Sequence, residues 1–181
     1  GELRRQLEVA EADRQNGRGV LAAVDEAYAY IEFELNGNVI TANRNFLALL
    51  GYGLDEVVGR HHRTFVDPAE SATPAYADFW ADLNAGRAKS QVFKRVTKTG
   101  REVWIQAVYA PVKDAGGAVR KIVKIATDVT QARLQAADFE GQINAVSKAQ
   151  AVIEFTLEGR VITANDNFLN TIGYSLAEIK G

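Results

Sequence analysis

The stretch Ile31–Gly59 returns 122 residues later as Ile153–Gly181, with 18 of 29 positions identical and no gap. Chance does not produce that agreement, so the chain carries a duplicated unit. The heart of the repeat reads VITANRNFLALLGY from Val39 and VITANDNFLNTIGY from Val161. A period of 122 residues is too long for a solenoid and right for a small domain. Within 181 residues the first copy has room to be complete. The second stops after its first third and lacks the material matching Arg60–Asp128, including three strands. It is therefore not expected to form a stable core by itself. These features, and the lack of any Met, read as a piece of a longer protein with Gly1 as a cloning remnant.

The duplication extends upstream of the identities. Leu3, Leu7, Ala10, Leu21, Val24 and Tyr28 precede the first copy. Val129, Ala132, Ala136, Phe139, Ile143, Val146 and Gln150 precede the second. Both sets step by threes and fours, the seam of a coiled coil. A shift of 122 places Leu7 on Val129, Ala10 on Ala132, Leu21 on Ile143 and Val24 on Val146. One unit is thus a helix followed by a globular domain, with Val129–Lys148 as a stiff connector. Phe139, Ile143 and Val146 are the expected seam of a homodimer. A helix packing on its own domain is the alternative, because Arg14 and Gly17 interrupt the first seam.

Inside the unit, Tyr30–Leu35 reads as a strand and Asn36–Asn38 as a hairpin turn. Val39–Ala42 is the return strand. Asn43 opens an apolar helix that Gly51 closes. Leu54–Val58 makes a short helical turn, and Gly59–Pro68 (GRHHRTFVDP) is another short element ended by proline. Pro74–Leu83 reads as a helix. The period then changes to two: Ser90–Lys98, Glu102–Lys113 and Val119–Asp128 are three antiparallel strands joined by TKTG and DAGG turns. On the middle strand Val103, Ile105, Ala107 and Tyr109 share one face. Trp104, Gln106, Val108 and Ala110 share the other. Both faces are half apolar, so both are expected to be covered, one by the short helices and the other by a flanking helix or a second subunit. The class is α+β. The expected organisation is an N-terminal amphipathic helix over 1–29, a domain over 30–130, a connector helix over 131–149 and the start of a second domain over 150–181.

Composition narrows the chemistry. The formal charge is −2 with basic residues spread along the chain, which makes no case for nucleic acid or an anionic membrane. No apolar run approaches the ~18 residues of a bilayer span, and no signal peptide is visible, so the piece reads as cytoplasmic. Cysteine is absent, which excludes disulfides, thiolate metal sites and cysteinyl photochemistry. No P-loop, GxGxxG, GxSxG or HExxH appears, so no enzyme is indicated.

The motifs GNVITANRNFLALLGY, DEVVG, TKTGREVW and the terminal DVT (Asp128–Thr130) together resemble a PAS domain. The resemblance covers about Tyr30–Thr130 fully and Val152–Gly181 as the first third of a second copy. GRHHRTFVDP, YADFWADLNAG and REVWIQAVYAPV are similar to the tandem PAS modules of soluble bacterial chemoreceptors of the aerotaxis type. The resemblance implies a five-stranded antiparallel sheet with short helices on one face enclosing a pocket. It also implies that Asp128 and Thr130 couple the last strand to the output helix. The chain departs from the pattern at Ala110, where such domains commonly carry asparagine.

Candidate site residues follow. His61 and His62 are the only histidines. On a helical turn neighbours point about 100° apart, so one of them can face a pocket. Through the resemblance, either is a candidate axial ligand for haem b iron; the plainer reading is a basic turn with Arg60 and Arg63. The resemblance to flavin-binding aerotaxis receptors makes Trp80 and Asn43 candidate contacts of FAD. The plainer readings are a core aromatic and a helix N-cap, which Asn165 repeats. Haem comes first, FAD second, and a domain with neither stands beside them. The expected function is a sensory input module for oxygen, redox state or a small ligand, relaying through 128–130 to a downstream signalling domain. The alternatives are a cofactor-free dimerising scaffold, or the input domain of a histidine kinase or diguanylate cyclase.

Overall fold

The computed structural model describes residues 2–181, apart from the side chains at 3, 4, 7–10 and 13. The seam residues expected at Leu3, Leu7 and Ala10 lie outside the described side chains. Two compact units, 1–130 and 131–181, are each described by themselves.

In the first unit, helix α1 (Glu2–Ala27) runs through Arg14 and Gly17 without a break. Strands β1 (Ala29–Phe33) and β2 (Val39–Ala42) form a hairpin. Helix α2 (Arg44–Leu50) follows, capped by the Asn43 side chain and closed by Gly51 in the left-handed region at φ 78°. That φ favours glycine, which has no Cβ to clash. Short helices α3 (Leu54–Val57), α4 (Pro68–Ser71) and α5 (Pro74–Asn84) come next, with a 3-10 turn at His62–Phe65. Helix α4 corrects the sequence reading: Pro68 starts an element rather than ending one. Asp67 accepts a hydrogen bond from the Ala69 amide at 2.8 Å, and Pro68 fills the first helical position. A proline there loses no hydrogen bond.

Strands β3 (Lys89–Val96), β4 (Glu102–Lys113) and β5 (Val119–Asp128) complete an antiparallel sheet in the order β2-β1-β5-β4-β3. The last strand therefore lies in the middle, paired with both β1 and β4. Its inward phase is Ile122, Lys124 and Ala126, set beside Ile31, Phe33, Tyr109 and Ala107. Phe46, Leu50, Val57, Phe65, Trp80 and Leu83 close the core from the helical side. Each fully buried side chain of this size contributes about 1.5–3 kcal/mol. The opposite face of β4 stays partly open, with Val108 43% exposed.

In the second unit, α6 (Thr130–Ala149) enters from the first unit's end, followed by β6 (Ile153–Phe155), β7 (Val161–Ala164), α7 (Asp166–Ile172) and α8 (Leu176–Ile179). None of its described residues is buried. Among the described residues, no helix is long and apolar enough to cross a membrane.

Candidate functional site

The chain between α3 and the 3-10 turn runs alongside β2. Val39 N donates to Arg60 O at 2.8 Å, Gly59 N to Val39 O at 2.9 Å and His62 N to Gly37 O at 2.8 Å. The segment is extended there, with His61 at φ −76° and ψ 145°. Extended backbone sends successive side chains to opposite sides. That alternation, rather than the 100° step of a helix, separates the two histidines. His61 stays at the surface over Gly37, where a Cβ would lie 2.7 Å from its Nε2. His62 turns inward and is fully buried.

His62 meets two tyrosines: Nδ1 lies 2.9 Å from the Tyr76 hydroxyl and Nε2 lies 2.9 Å from the Tyr109 hydroxyl. Arg95 Nη2 donates to the same Tyr109 oxygen at 3.3 Å. A neutral imidazole has one donor and one acceptor. The assignment that gives the Tyr109 hydroxyl and imidazole protons an acceptor each runs from Arg95 to Tyr109, from Tyr109 to His62 Nε2, and from His62 Nδ1 to Tyr76. Burial holds the imidazole well below its usual pKa, and the charges of Arg95, Lys124 and His61 push the same way. Burial raises the Tyr109 hydroxyl, against the pull of Arg95. The site is thus a neutral hydrogen-bonded chain ending on a buried guanidinium.

Two cations sit in this interior. Arg95 is 2% exposed and Lys124 is 0% exposed. Arg95 stacks on Phe93 at 4.6 Å from the ring centroid, and its Nη1 donates to Lys94 O at 2.5 Å. Its carboxylate contact is Glu70, at a loose 3.4 Å, and its Nε has no partner. Lys124 Nζ also has no hydrogen-bond partner and lies 4.9 Å from the Tyr109 ring centroid and 5.5 Å from that of Phe46. Ring faces attract a cation, but an ion moved out of water still costs several kcal/mol. Burial, with Arg95 adding to it, holds the Lys124 amine well below its ordinary pKa. A cleft of about 140 Å³ reaches Arg95 from outside, lined also by Glu70, Thr73, Tyr76, Phe79 and Gln91.

The expected cofactor ligands stand differently from the sequence reading. Both nitrogens of His62 are taken by tyrosines, and His61 Nδ1 accepts from Arg63 N and Nε at 3.1 Å each. His62 has no nitrogen free for iron, and neither histidine lines the cleft that reaches Arg95. Trp80 is packed in the core, edge-on to Phe33 at 5.7 Å. Asn43 has no capacity left for a flavin edge. Its Oδ1 accepts from Tyr30 N and Phe46 N, and its Nδ2 donates to Asp25 O and Tyr28 O. The cleft is also smaller than the ~300–1,000 Å³ of ordinary ligand pockets. As packed, these residues fit neither haem nor flavin.

The exit of the domain is clasped to β4. Val129 N donates to Trp104 O at 2.8 Å, and Trp104 N donates to Thr130 Oγ1 at 2.8 Å. Asp128 accepts from Thr130 N at 2.8 Å, at the start of α6. Phe139, Ile143 and Val146 lie on α6 and are 50–64% exposed.

Arg95, Lys124, Tyr76 and Tyr109 were not singled out as site residues from the sequence. A signal was present: in β3 Arg95 shares the inward phase of Phe93, and in β5 Lys124 shares that of Ile122 and Ala126. A long basic residue on the apolar phase of a central strand is a buried charge to be explained.

A family model described as PAS domain matches residues 28–131 and 150–181. The chain is 43% identical over 159 residues to the biofilm dispersion protein BdlA of Pseudomonas aeruginosa, covering 88% of this chain and 38% of that protein. It is 30% identical over 83 residues to the aerotaxis receptor of Escherichia coli K12, covering 46% of this chain and 16% of the receptor. The chain thus spans well under half the length of these relatives. A solved PAS domain from Colwellia psychrerythraea superposes with a TM-score of 0.55 at 20% identity, covering 63% of this chain and 97% of that one. The duplicated motif, the five-stranded sheet and these matches agree: the chain belongs to the PAS domain family, the sensory modules of signalling proteins.

Proposed function

We propose that this chain is the input segment of a chemoreceptor-type signalling protein, in which a change inside the first PAS unit is relayed to α6. The observation that carries the reading is the continuity of β4. Tyr109 on that strand holds the buried His62–Arg95 chain, and Trp104 on the same strand bonds both Val129 and Thr130. A shift of β4 that rearranges the interior therefore also acts on the residues where the sheet ends and the helix begins. The likeness to BdlA and to the aerotaxis receptor supports a chemotaxis-related output carried by chain beyond this segment. Small-ligand sensing is favoured over haem or flavin sensing by the occupied His62 imidazole and the small cleft.

Dimerisation through the flanking helices belongs to the same reading. Exposed Phe139, Ile143 and Val146 favour it. So does an apolar groove beside the helix in each copy, at Leu21, Val24 and Tyr30 and again at Ile143, Val146 and Val152.

Hydrogen exchange tests the relay. In Tyr109→Phe the amides of 130–149 are expected to exchange at a rate different from wild type, and Thr130→Val is expected to abolish that response. Unchanged exchange of α6 in Tyr109→Phe contradicts the relay. An absorbance spectrum of the purified protein tests the cofactor side: a Soret or flavin band would overturn the small-ligand reading.

A further inference from the structure

We propose that the cleft between α5 and β3 binds a small carboxylate whose oxygens pair with Arg95, in the place now held loosely by Glu70. The inference deepens the sensory reading by naming a ligand class. Binding is measured apart from the relay, so either can fail without the other.

The interior holds basic side chains without a buried acidic partner. Arg95 and Lys124 are both buried, and no carboxylate is buried with them among the described residues. Glu70 is the acidic partner of Arg95, reaching in from a position 43% exposed. Its 3.4 Å contact is longer than the ~2.7–2.9 Å of a charge-assisted hydrogen bond. Arg95 lines the cleft with Tyr76 and Phe79, and its Nε, buried behind that surface, has no acceptor. A guanidinium is a planar fork that matches a carboxylate with two parallel bonds. Here Nη2 meets Tyr109 and Nη1 meets Lys94 O, so the loose Glu70 contact at Nη1 is the position a ligand oxygen would take.

The cleft suits the size and character of such a ligand. Its 140 Å³ equals about five water volumes, room for an acid of a few heavy atoms. Phe79 and Ala75 give it an apolar wall. Tyr76, Thr73 and Gln91 add polar residues to the lining. Tyr76 and Arg95 are also the two ends of the buried chain through His62 and Tyr109. An acid on Arg95 therefore touches the network that reaches β4.

Calorimetric titration of the whole chain with acetate, pyruvate and succinate, against sodium chloride at matched ionic strength, tests the proposal. Inorganic phosphate, sulfate and neutral acetamide serve as contrasts. Saturable binding of at least one carboxylate is expected, with none of acetamide. Glu70→Gln is expected to tighten it about twofold to fivefold by removing the competing carboxylate. Arg95→Gln is expected to weaken it about 10–100-fold. Glu70 is at the surface, so its variant reports on the site even if Arg95→Gln does not fold. Absence of saturable carboxylate binding, an unchanged affinity in Glu70→Gln, or equal binding of phosphate and sulfate would overturn the assignment.

Discussion

Phe46 and Phe168 hold the same place in the two copies of the motif. Both follow an asparagine whose Oδ1 accepts from their own backbone amide, at 2.9 and 3.0 Å. Asn43 and Asn165 both reach back to carbonyls at the end of the preceding helix. Gly51 and Gly173 both close the helix in the left-handed region, at φ 78° and 74°. Both hairpins shift register at the same step, Glu32/Phe33 and Glu154/Phe155. Yet Phe46 is 1% exposed, whereas no described residue of the second unit is buried. Local structure here is set by the motif, and burial is set by β3, β4 and β5, which only the first copy has in this chain. The site follows burial. His62, Arg95, Tyr109 and Lys124 all lie in or pack against those later elements.

The strongest way to break the comparison is to truncate the paired phenylalanines. Phe46→Ala is expected to cost about 3–5 kcal/mol in denaturant unfolding, and Phe168→Ala under about 1 kcal/mol. Similar losses would mean that the second copy is packed. Tyr109→Phe removes a hydroxyl shared by His62 and Arg95, with no counterpart in the second copy. It is expected to cost about 1–3 kcal/mol, because it leaves buried partners unpaired.

Acid sharpens the contrast. Both histidines belong to the first copy and both have lowered pKa values, so the unfolded chain binds protons more readily than the folded one. Stability is present above the unfolded value of about 6.5 and is lost as pH falls below it, toward the folded values. For His62 the slope approaches about 1.4 kcal/mol per pH unit. Thermal unfolding in steps from pH 7.5 to 5.0 reads it, and His62→Gln is expected to flatten the curve. A smaller effect comes from the caps. Asn43→Ala is expected to cost about 0.5–2 kcal/mol in global unfolding, whereas Asn165→Ala should leave the midpoint of the first unit unchanged.

Most of the architecture was legible in the residues because it is local. The Asn43 cap, the Gly51 closure, the turn at Asn36–Asn38 and the period-two strands β4 and β5 each announce themselves within a few positions. Helix α4 did not, because an Asp-Pro pair both ends one element and begins another. The site was less legible, since it depends on which strands become neighbours. Lys124 and Arg95 look like solvated charges until β5 is placed at the centre of the sheet. His61 and His62 look equivalent until the bridge to β2 makes their backbone extended. Trp80 and Asn43 carried the plainer reading from the start, as a core aromatic and a cap.

Native-state hydrogen exchange on the intact chain compares the two copies within one sample. The amides of β1, β2 and α2 are expected to exchange only when the whole first unit unfolds, while their counterparts in β6, β7 and α7 exchange by local opening, orders of magnitude faster. Equal protection of the two copies would contradict the claim that β3–β5 turn this motif into a folded sensor.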